Sequence, residues 1–207
     1  MTMQSKAHWE EVYRSQPPEE VSWFQERSEE SLRLIQTVSG AKEGFVIDIG
    51  GGASTLTDDL IEEGFQNITV LDISPAALSV ARKRLGVVRS GYVNWIEADI
   101  TKVDLPETQF DVWHDRAVFH FLTDAKDRAS YVEKVRTSVK SGGHVIVSTF
   151  GADGPLRCSG LEVARYSPDK LHSEFGTQFE LLEHSQETHR TPFGTEQKFI
   201  YCLCLKK

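Results

Sequence analysis

The sequence predicts one α/β domain with a doubly wound, mostly parallel sheet and helices on both faces. Short β-branched runs alternate with helix-forming stretches over residues 45–149, which is typical of strand–helix–strand units. A glycine turn at residues 50–52 follows the first of these runs, where a strand would turn directly into a helix. The last two strand-like runs have no helix between them, so they must pair antiparallel. These three observations favour a nucleotide-binding sheet that ends in a hairpin.

The amino-terminal segment differs from the rest because its aromatic side chains stand in a polar background. Residues 8–13 predict one or two helical turns, which end before Pro17. Residues 28–38 predict a helix, because their apolar side chains fall on one face. We therefore expect residues 1–40 to form a helical lid segment and residues 41–207 to form a single domain.

Local preferences mark each predicted element of the domain. Ser74 and Asp124 are placed to cap helices, and Pro75 suits a first helical position. Serine and two glycines at residues 141–143 predict a turn. The predicted strands cover residues 45–49, 68–72, 92–97, 110–113, 144–149, 179–188 and 198–205. The predicted helices of the domain cover residues 55–63, 75–85, 125–139 and 168–175.

Composition narrows the class of partner. The 207 residues, 39% hydrophobic and 26% charged, suit one soluble globular domain. The formal net charge of −8 counts against a nucleic-acid partner, because phosphate neutralisation needs clustered lysine and arginine. No apolar run reaches spanning length, so we expect no membrane partner and a cytoplasmic location. The three cysteines lack zinc-ligand spacing, so we expect core thiols at Cys202 and Cys204 and no metal site.

Carboxylates follow three predicted strands at the edge where open parallel sheets bind ligands. Asp48 stands just before the glycine turn, where it can orient the turn and approach an ammonium group. Asp72 ends the second strand and is placed to bind ribose hydroxyls. After the third strand, Asp99 could accept a hydrogen bond from adenine while Ile100 packs on the ring. A nucleoside-containing cofactor is therefore indicated, and Asp48 would disfavour a pyrophosphate.

Four segments, in this order, resemble the successive motifs of the class I, seven-stranded, Rossmann-like S-adenosylmethionine-dependent methyltransferases. They are residues 46–54, 71–74, 97–100 and 110–122. The chain is most similar to small bacterial-type members of the general-substrate kind, and the closing hairpin fits the topology of the family. The resemblance implies the strand order 3-2-1-4-5-7-6 with the last strand antiparallel. It also implies S-adenosyl-L-methionine as the cofactor.

The resemblance assigns residues to the parts of that cofactor. Asp48 and the backbone of the glycine turn would hold the methionine part, Asp72 the ribose diol, and Asp99 the adenine. The amino-terminal aromatic side chains either pack on the sheet edge or fold over the cofactor, where cation–π attraction favours a sulfonium. The predicted cofactor-binding residues are Trp9, Tyr13, Asp48, Gly50, Gly51, Gly52, Thr55, Asp72, Ile73, Asp99, Ile100 and His114.

Polar side chains after the fourth strand are the candidates for catalysis. His114, Asp115 and His120 are the possible general bases, although methyl transfer needs a base only if the acceptor must lose a proton. Arg116 could form an ion pair with Asp115 or bind an acidic substrate group, and Arg157 could line a substrate wall. The predicted substrate residues are Trp23, Arg116, Phe119 and Arg157.

The sequence therefore predicts methyl transfer to a small-molecule acceptor. No Asn/Asp-Pro-Pro-Tyr/Phe motif follows the fourth strand, which argues against amino-methylation of adenine, cytosine or glutamine. The segment His8-Trp9-x-x-x-Tyr13 is similar to small protein-lysine methyltransferases, so a protein lysine is an alternative acceptor. A non-catalytic cofactor-binding partner protein is the other alternative, because the acids argue only for binding.

Overall fold

The computed structural model describes residues 3–38 and 42–207, and the predicted doubly wound α/β fold is confirmed. The strands are β1 (Phe45–Ile49), β2 (Asn67–Asp72), β3 (Val93–Glu97), β4 (Phe110–Arg116), β5 (Val139–Phe150), β6 (Arg157–Cys158), β7 (Leu161–Glu162), β8 (Phe179–Arg190) and β9 (Glu196–Lys206). The short strands β6 and β7 form a separate antiparallel ribbon. The other seven form one sheet in the order β3-β2-β1-β4-β5-β9-β8.

The sheet is parallel from β3 to β5, and its last strand in the chain runs the other way. β9 lies between β5 and β8 and pairs antiparallel with both. The observed order equals the predicted 3-2-1-4-5-7-6 when the two ribbon strands are left out of the numbering. The closing hairpin and its position beside β5 therefore agree with the prediction.

Helices cover both faces of the sheet. They are α1 (Met3–Ser15), α2 (Glu29–Val38), α3 (Leu56–Glu62), α4 (Pro75–Ser90), α5 (Ala125–Ser138) and α6 (Pro168–Phe175), with 3-10 turns at Pro18–Glu20 and Phe119–Phe121. The apolar side chains of α2, α3 and α4 pack on one face, and those of α5 and α6 pack on the other. Ser74 and Asp124 cap α4 and α5 as predicted. The strands β1, β2 and β4 are thus buried between two helical layers, whereas the edge strand β8 is largely exposed on alternate residues.

Glycines explain two differences between predicted and observed bounds. The helix predicted to end at residue 85 continues as α4, but Gly86 has φ 71° and ψ 175°, so the regular helix is broken there. β5 begins at Val139 rather than at residue 144, and its pairing with β4 is irregular in that stretch. The predicted turn at residues 141–143 is therefore a bulge inside a longer strand.

The amino-terminal segment packs on the domain. Leu32 and Ile35 of α2 lie in the same hydrophobic core as the apolar side chains of α3 and α4. The predicted boundary between residues 40 and 41 falls in residues 39–41, outside the described part of the chain. Over the described ranges, no helix is both long enough and apolar enough to cross a membrane. The cysteines are free and buried, as expected for core thiols.

Candidate active site

A cleft with two connected lobes opens at the carboxyl ends of β1, β2 and β4. Counting the space that is open to solvent, the lobes measure about 640 and 560 Å³, in the range of small-molecule sites. The residues that line both lobes, and so define their junction, are Tyr13, Trp23, Ile49, Gly50 and Arg116. The two lobes therefore form one elongated site.

The first lobe contains Asp72, the last residue of β2. Its buried carboxylate accepts a 2.8 Å hydrogen bond from the backbone N–H of Ser74. Burial raises the pKa of Asp72 to about 7, and the nearby Asp48 carboxylate adds to the rise, although backbone N–H groups oppose it. Ile73 and Ile100 line the same lobe. An acid beside apolar walls suits the hydroxyls and the ring of a nucleoside.

The second lobe is bounded by a buried chain of polar contacts. His114 Nδ1 lies 2.7 Å from Asp48 Oδ1, and His114 Nε2 lies 2.9 Å from Ser31 Oγ. Asp48 Oδ2 has no hydrogen-bond partner among the described residues, although the residue is only 2% exposed. Such an oxygen is costly unless a ligand brings a donor to it. Both nitrogens of His114 are engaged, so the structure does not support its predicted role as a general base.

The glycine turn leaves space for a ligand between the lobes. Gly50 has φ +69°, and a Cβ built on it would lie 2.1 Å from Val118 Cγ2. A Cβ built on Gly51 would lie 2.3 Å from Asp48 Oδ2, so any side chain there would fill the space beside the unpaired oxygen. The turn therefore needs glycine for both its conformation and its surroundings.

Aromatic side chains cover the first lobe. The ring of Trp9, from α1, lies 5.6 Å from Trp23 and 5.2 Å from Phe121, measured between centroids. Tyr13, one turn later in α1, lies 6.3 Å from Trp23. All four rings line the cleft. The amino-terminal helix thus borders the site, and its role as a lid stays a prediction.

Glu10 fastens α1 to the start of α4. Its Oε1 accepts hydrogen bonds from Ser74 Oγ at 2.6 Å and from Ala76 N at 2.9 Å. Burial alone would raise the pKa of Glu10, but these hydrogen bonds lower it below its usual value. A lowered carboxyl pKa stabilises the docked helix at neutral pH, and this contribution is lost as the pH falls through that pKa.

Glu10→Ala is expected to loosen α1, because Ser74 and Ala76 lose their shared acceptor. Amide hydrogen exchange of residues 3–15 should become about 5-fold faster, the size expected for one or two lost hydrogen bonds. The matched control is Glu11→Ala, since Glu11 is exposed on the same helix. Equal exchange rates in the two variants would show that Glu10 does not hold α1 in place.

Arg116 lies at the junction of the lobes and is held from two directions. Its Nη2 lies 3.3 Å from Glu187 Oε2, and its Nε donates to Tyr201 Oη at 3.1 Å. Its Nη1 donates to the backbone carbonyl of Trp23 at 3.3 Å. The alternative of an ion pair with Asp115 is therefore wrong, because Arg116 pairs with Glu187 instead. Arg116 still lines both lobes and can meet an acceptor there.

Asp115 and Phe119 lie in the core on the far face of the sheet, which corrects the catalytic and substrate roles predicted for them. Neighbouring residues of a strand point to opposite faces, so His114 and Arg116 border the cleft while Asp115 does not. Asp115 is fully buried and accepts a 2.7 Å hydrogen bond from Tyr131 Oη. The Phe119 ring packs 5.1 Å from that of Tyr131. Neither side chain can touch a ligand in the cleft.

His120 and Arg157 also lie away from the cleft, contrary to prediction. His120 is fully buried, 4.5 Å from the Phe121 ring, and burial lowers its pKa to about 3. Arg157 is exposed on the ribbon, 3.8 Å from Glu162. Its neighbour Cys158 lines the first lobe instead. His120 therefore cannot serve as a base for an acceptor, and Arg157 does not form the substrate wall.

The other predicted cofactor residues lie at or beside the cleft. Thr55 lines the second lobe. Asp99 stands between two residues that line the first lobe, while its own carboxylate accepts hydrogen bonds from the N–H and hydroxyl of Thr101. Gly52 lines neither lobe and donates its N–H to Asp72. Direct contact of Asp99 with the cofactor stays a prediction, and Gly52 is placed to hold Asp72.

Sequence reasoning missed Ser31, Phe121, Glu187 and Tyr201. A signal existed for Ser31, which lies on the buried face of α2 with the apolar residues three and four positions later. Phe121 lies within residues 110–122, the fourth motif segment, but only the tertiary structure places its ring at the cleft. Glu187 and Tyr201 come from β8 and β9, and only the tertiary fold brings them to β4.

Comparison with known proteins agrees with this geometry. Residues 47–147, about half of the chain, match the methyltransferase domain family. The chain is 27% identical over 114 residues to the malonyl-[acyl-carrier protein] O-methyltransferase of Paenibacillus sp. (strain JDR-2), covering 54% of the chain and 40% of that protein. It is 26% identical over 188 residues to the EEF1A lysine methyltransferase 2 of Homo sapiens, covering 86% of the chain and 75% of that protein. The chain therefore spans less than half of the first relative and three quarters of the second.

A solved structure gives the same fold. The S-adenosylmethionine-dependent methyltransferase of Anabaena variabilis superposes with a TM-score of 0.74, covering all of this chain and 96% of that chain at 14% identity. The chain belongs to the class I S-adenosylmethionine-dependent methyltransferases, and S-adenosylmethionine is its cofactor. The family and the cofactor predicted from the sequence are thus confirmed.

The residues of the cleft fit that cofactor. The unpaired oxygen of Asp48 can accept from an ammonium group, and the side-chain-free space beside Gly51 leaves room for it. The Asp72 carboxylate can accept from a ribose diol. Asp72 lines the first lobe and Asp48 the second, so the ribose and the amino group of the cofactor can be bound on either side of the junction.

Proposed function

We propose that this chain transfers a methyl group from S-adenosylmethionine to a small-molecule acceptor at the junction of the two lobes. The observation that carries the proposal is the cover over that junction. Tyr13 and Trp23 line it, and the Trp9 ring packs against that of Trp23, so an acceptor must fit beneath aromatic side chains. A bulky folded partner would have to displace this cover first.

The residues of the chain would act by holding and shielding the reactants. When bound, S-adenosylmethionine supplies an electrophilic methyl group, and alignment and exclusion of water supply much of the rate. Asp48 and Asp72 would fix the amino group and the ribose of the cofactor, so the sulfonium between them would lie near the junction. The rings of Trp9 and Tyr13 would exclude water and attract the positive charge.

None of the three candidate bases reaches the junction with a free proton acceptor. His114 is engaged at both nitrogens, and Asp115 and His120 are buried outside the cleft. We therefore propose an acceptor that attacks without help from them, such as a neutral amine, a thiolate or a carboxylate. The net charge of −8 supports an acceptor other than a nucleic acid.

Transfer of a labelled methyl group tests the proposal. The full-length protein is incubated with cell extract and S-adenosylmethionine labelled on the methyl carbon, and the products are separated by size. We expect the label in the small-molecule fraction, in a compound heavier than its precursor by one methyl group. Absence of label from every fraction would contradict catalysis and favour a non-catalytic cofactor-binding partner.

A protein lysine is the second candidate acceptor. The observation that favours it is the similarity to the human EEF1A lysine methyltransferase 2, which extends over 86% of the chain. In the same experiment, a discrete labelled protein band with no labelled small molecule would replace the first proposal with this one. Lysine as the labelled residue would be checked after hydrolysis of that band.

Arg116→Gln is expected to slow methyl transfer about 100-fold, because the side chain lines the junction where the acceptor must lie. The substitution also leaves Glu187 without its cation, at a cost of about 3 kcal/mol in the free energy of unfolding. The double variant Arg116→Gln/Glu187→Gln removes both charges, so it should recover most of the stability. Initial rates of label incorporation and thermal melts measure both effects. Full recovery of rate in the double variant would exclude Arg116 from the acceptor site.

A further inference from the structure

We infer that Ser31 and His114 are positioning residues for the amino-acid end of the cofactor and that they act through Asp48. The inference rests on the proposed function, because the ligand concerned is the one that the proposed reaction uses. It adds a residue from α2, far in sequence from the glycine turn, to the machinery that recognises the cofactor.

The geometry of Asp48 shows that its free oxygen, Oδ2, has to be positioned. One oxygen, Oδ1, is 2.7 Å from His114 Nδ1, while Oδ2 has no partner among the described residues. The terminal torsion of an aspartate is soft, so a carboxylate held at neither oxygen would rotate. Held at Oδ1 alone, it keeps Oδ2 aimed beside Gly51, where a Cβ would lie only 2.3 Å away. The contact with His114 therefore sets the direction from which a donor can reach Asp48.

His114 is in turn fixed by α2. Its Nε2 lies 2.9 Å from Ser31 Oγ, and both side chains are at most 2% exposed. The position of Ser31 is set by the docking of α2. Ser28, the residue just before α2, is tied to α3 by the hydrogen bond from its N–H to Asp59 Oδ2 at 3.1 Å. A ligand-binding group that is supported in this way is preorganised rather than mobile.

The contacts from Ser31 through His114 to Asp48 predict that substitutions there change the affinity for some ligands and not for others. S-adenosylhomocysteine carries an ammonium group that can donate to Asp48 Oδ2. The analogue 5′-methylthioadenosine keeps the adenosine and the sulfur but lacks the amino-acid end. Loss of Ser31 or His114 should therefore weaken the first ligand and spare the second, whereas general damage to the cleft would weaken both.

The test is calorimetric titration of the full-length protein and its variants with each of the two ligands. For S-adenosylhomocysteine we expect affinity losses of about 3- to 10-fold for Ser31→Ala and about 30- to 100-fold for His114→Val. His114→Asn should lie between them, because its amide can still donate to Asp48. For 5′-methylthioadenosine, the affinity of every variant should stay within about 2-fold of the wild-type affinity. This change is smaller than the loss of one hydrogen bond would cause.

Ser138→Ala is the control, because it removes the hydroxyl of another buried serine, the last residue of α5, which lines neither lobe of the cleft. It should change neither affinity. Equal losses for both ligands, or no loss for S-adenosylhomocysteine, would overturn the inference and leave the proposed function standing. Failure of the wild-type protein to bind S-adenosylhomocysteine would overturn both. Thermal melts of each variant confirm that folded protein is titrated.

Discussion

Asp72→Asn is expected to stabilise the unliganded protein near pH 8 by about 1–3 kcal/mol and to weaken S-adenosylhomocysteine binding about 100-fold. The two effects have one cause. Burial, with the Asp48 carboxylate nearby, raises the pKa of Asp72 from its usual 3.8 to about 7 in the folded chain. The charged Asp72 carboxylate therefore destabilises the unliganded folded protein. It nevertheless lies at the position where the ribose diol needs a charged acceptor.

The pH dependence of this cost follows from the direction of the shift. Between about pH 4 and pH 7 the folded chain binds the proton of Asp72 more tightly than the unfolded chain, so the stability of the protein falls as the pH rises. Asparagine has no such proton, and its oxygen can still accept from Ser74 N. Wild type and variant should therefore differ little below pH 4 and most above pH 7.

Urea unfolding at several pH values, together with calorimetric titration, measures both halves of this prediction. A variant that is no more stable than the wild type above pH 7 would show that Asp72 is ionised at no cost. A variant that binds the ligand as tightly as the wild type would remove Asp72 from the cofactor site.

Gly50→Ala is expected to destabilise the fold by about 2–4 kcal/mol and to weaken S-adenosylhomocysteine binding at least about 100-fold. Two costs combine at this position. Its φ of +69° strains any side-chain-bearing residue, and the new Cβ would lie 2.1 Å from Val118 Cγ2. Because Gly50 and Val118 both line the first lobe, relief of the clash must move the wall of the cleft.

Two further variants separate these costs. Gly142→Ala imposes a similar strain, with φ +76°, where no described atom lies within 4 Å of the new Cβ. It should cost about 1 kcal/mol and leave the affinity unchanged. Gly50→Ala/Val118→Ala removes the clash but keeps the strain, so it should recover part of the stability. If Gly50→Ala behaves like Gly142→Ala, the close approach to Val118 has no bearing on binding.

The sheet was predictable because its elements follow local rules. Ser74 and Asp124 cap helices as their spacing predicts, and Gly86 breaks α4 beside the predicted end of the helix. The order of the acids along the chain placed Asp48 and Asp72 at the cleft, because the carboxyl ends of parallel strands meet at one edge. The exact length of β5 was not predictable, because its bulge depends on pairing with β4.

The role predicted for Asp115 at the cleft is wrong because side chains alternate between the two faces along β4. Alternation along a strand separates His114 and Arg116 from Asp115, and this could have been read from the spacing alone. The partner of Arg116 could not, because Glu187 lies 71 residues away in the chain and only the antiparallel hairpin brings it near. Burial of His120 in the core likewise depends on packing that no local pattern records.

Binding of S-adenosylhomocysteine to the full-length protein tests the central claim, that this two-lobed cleft holds the cofactor, most directly. Calorimetric titration of the wild type, with Gly50→Ala measured in parallel, should give one binding site per chain for the wild type and a much weaker one for the variant. No heat of binding at millimolar ligand, or equal affinity in the two proteins, would contradict the assignment of the cleft.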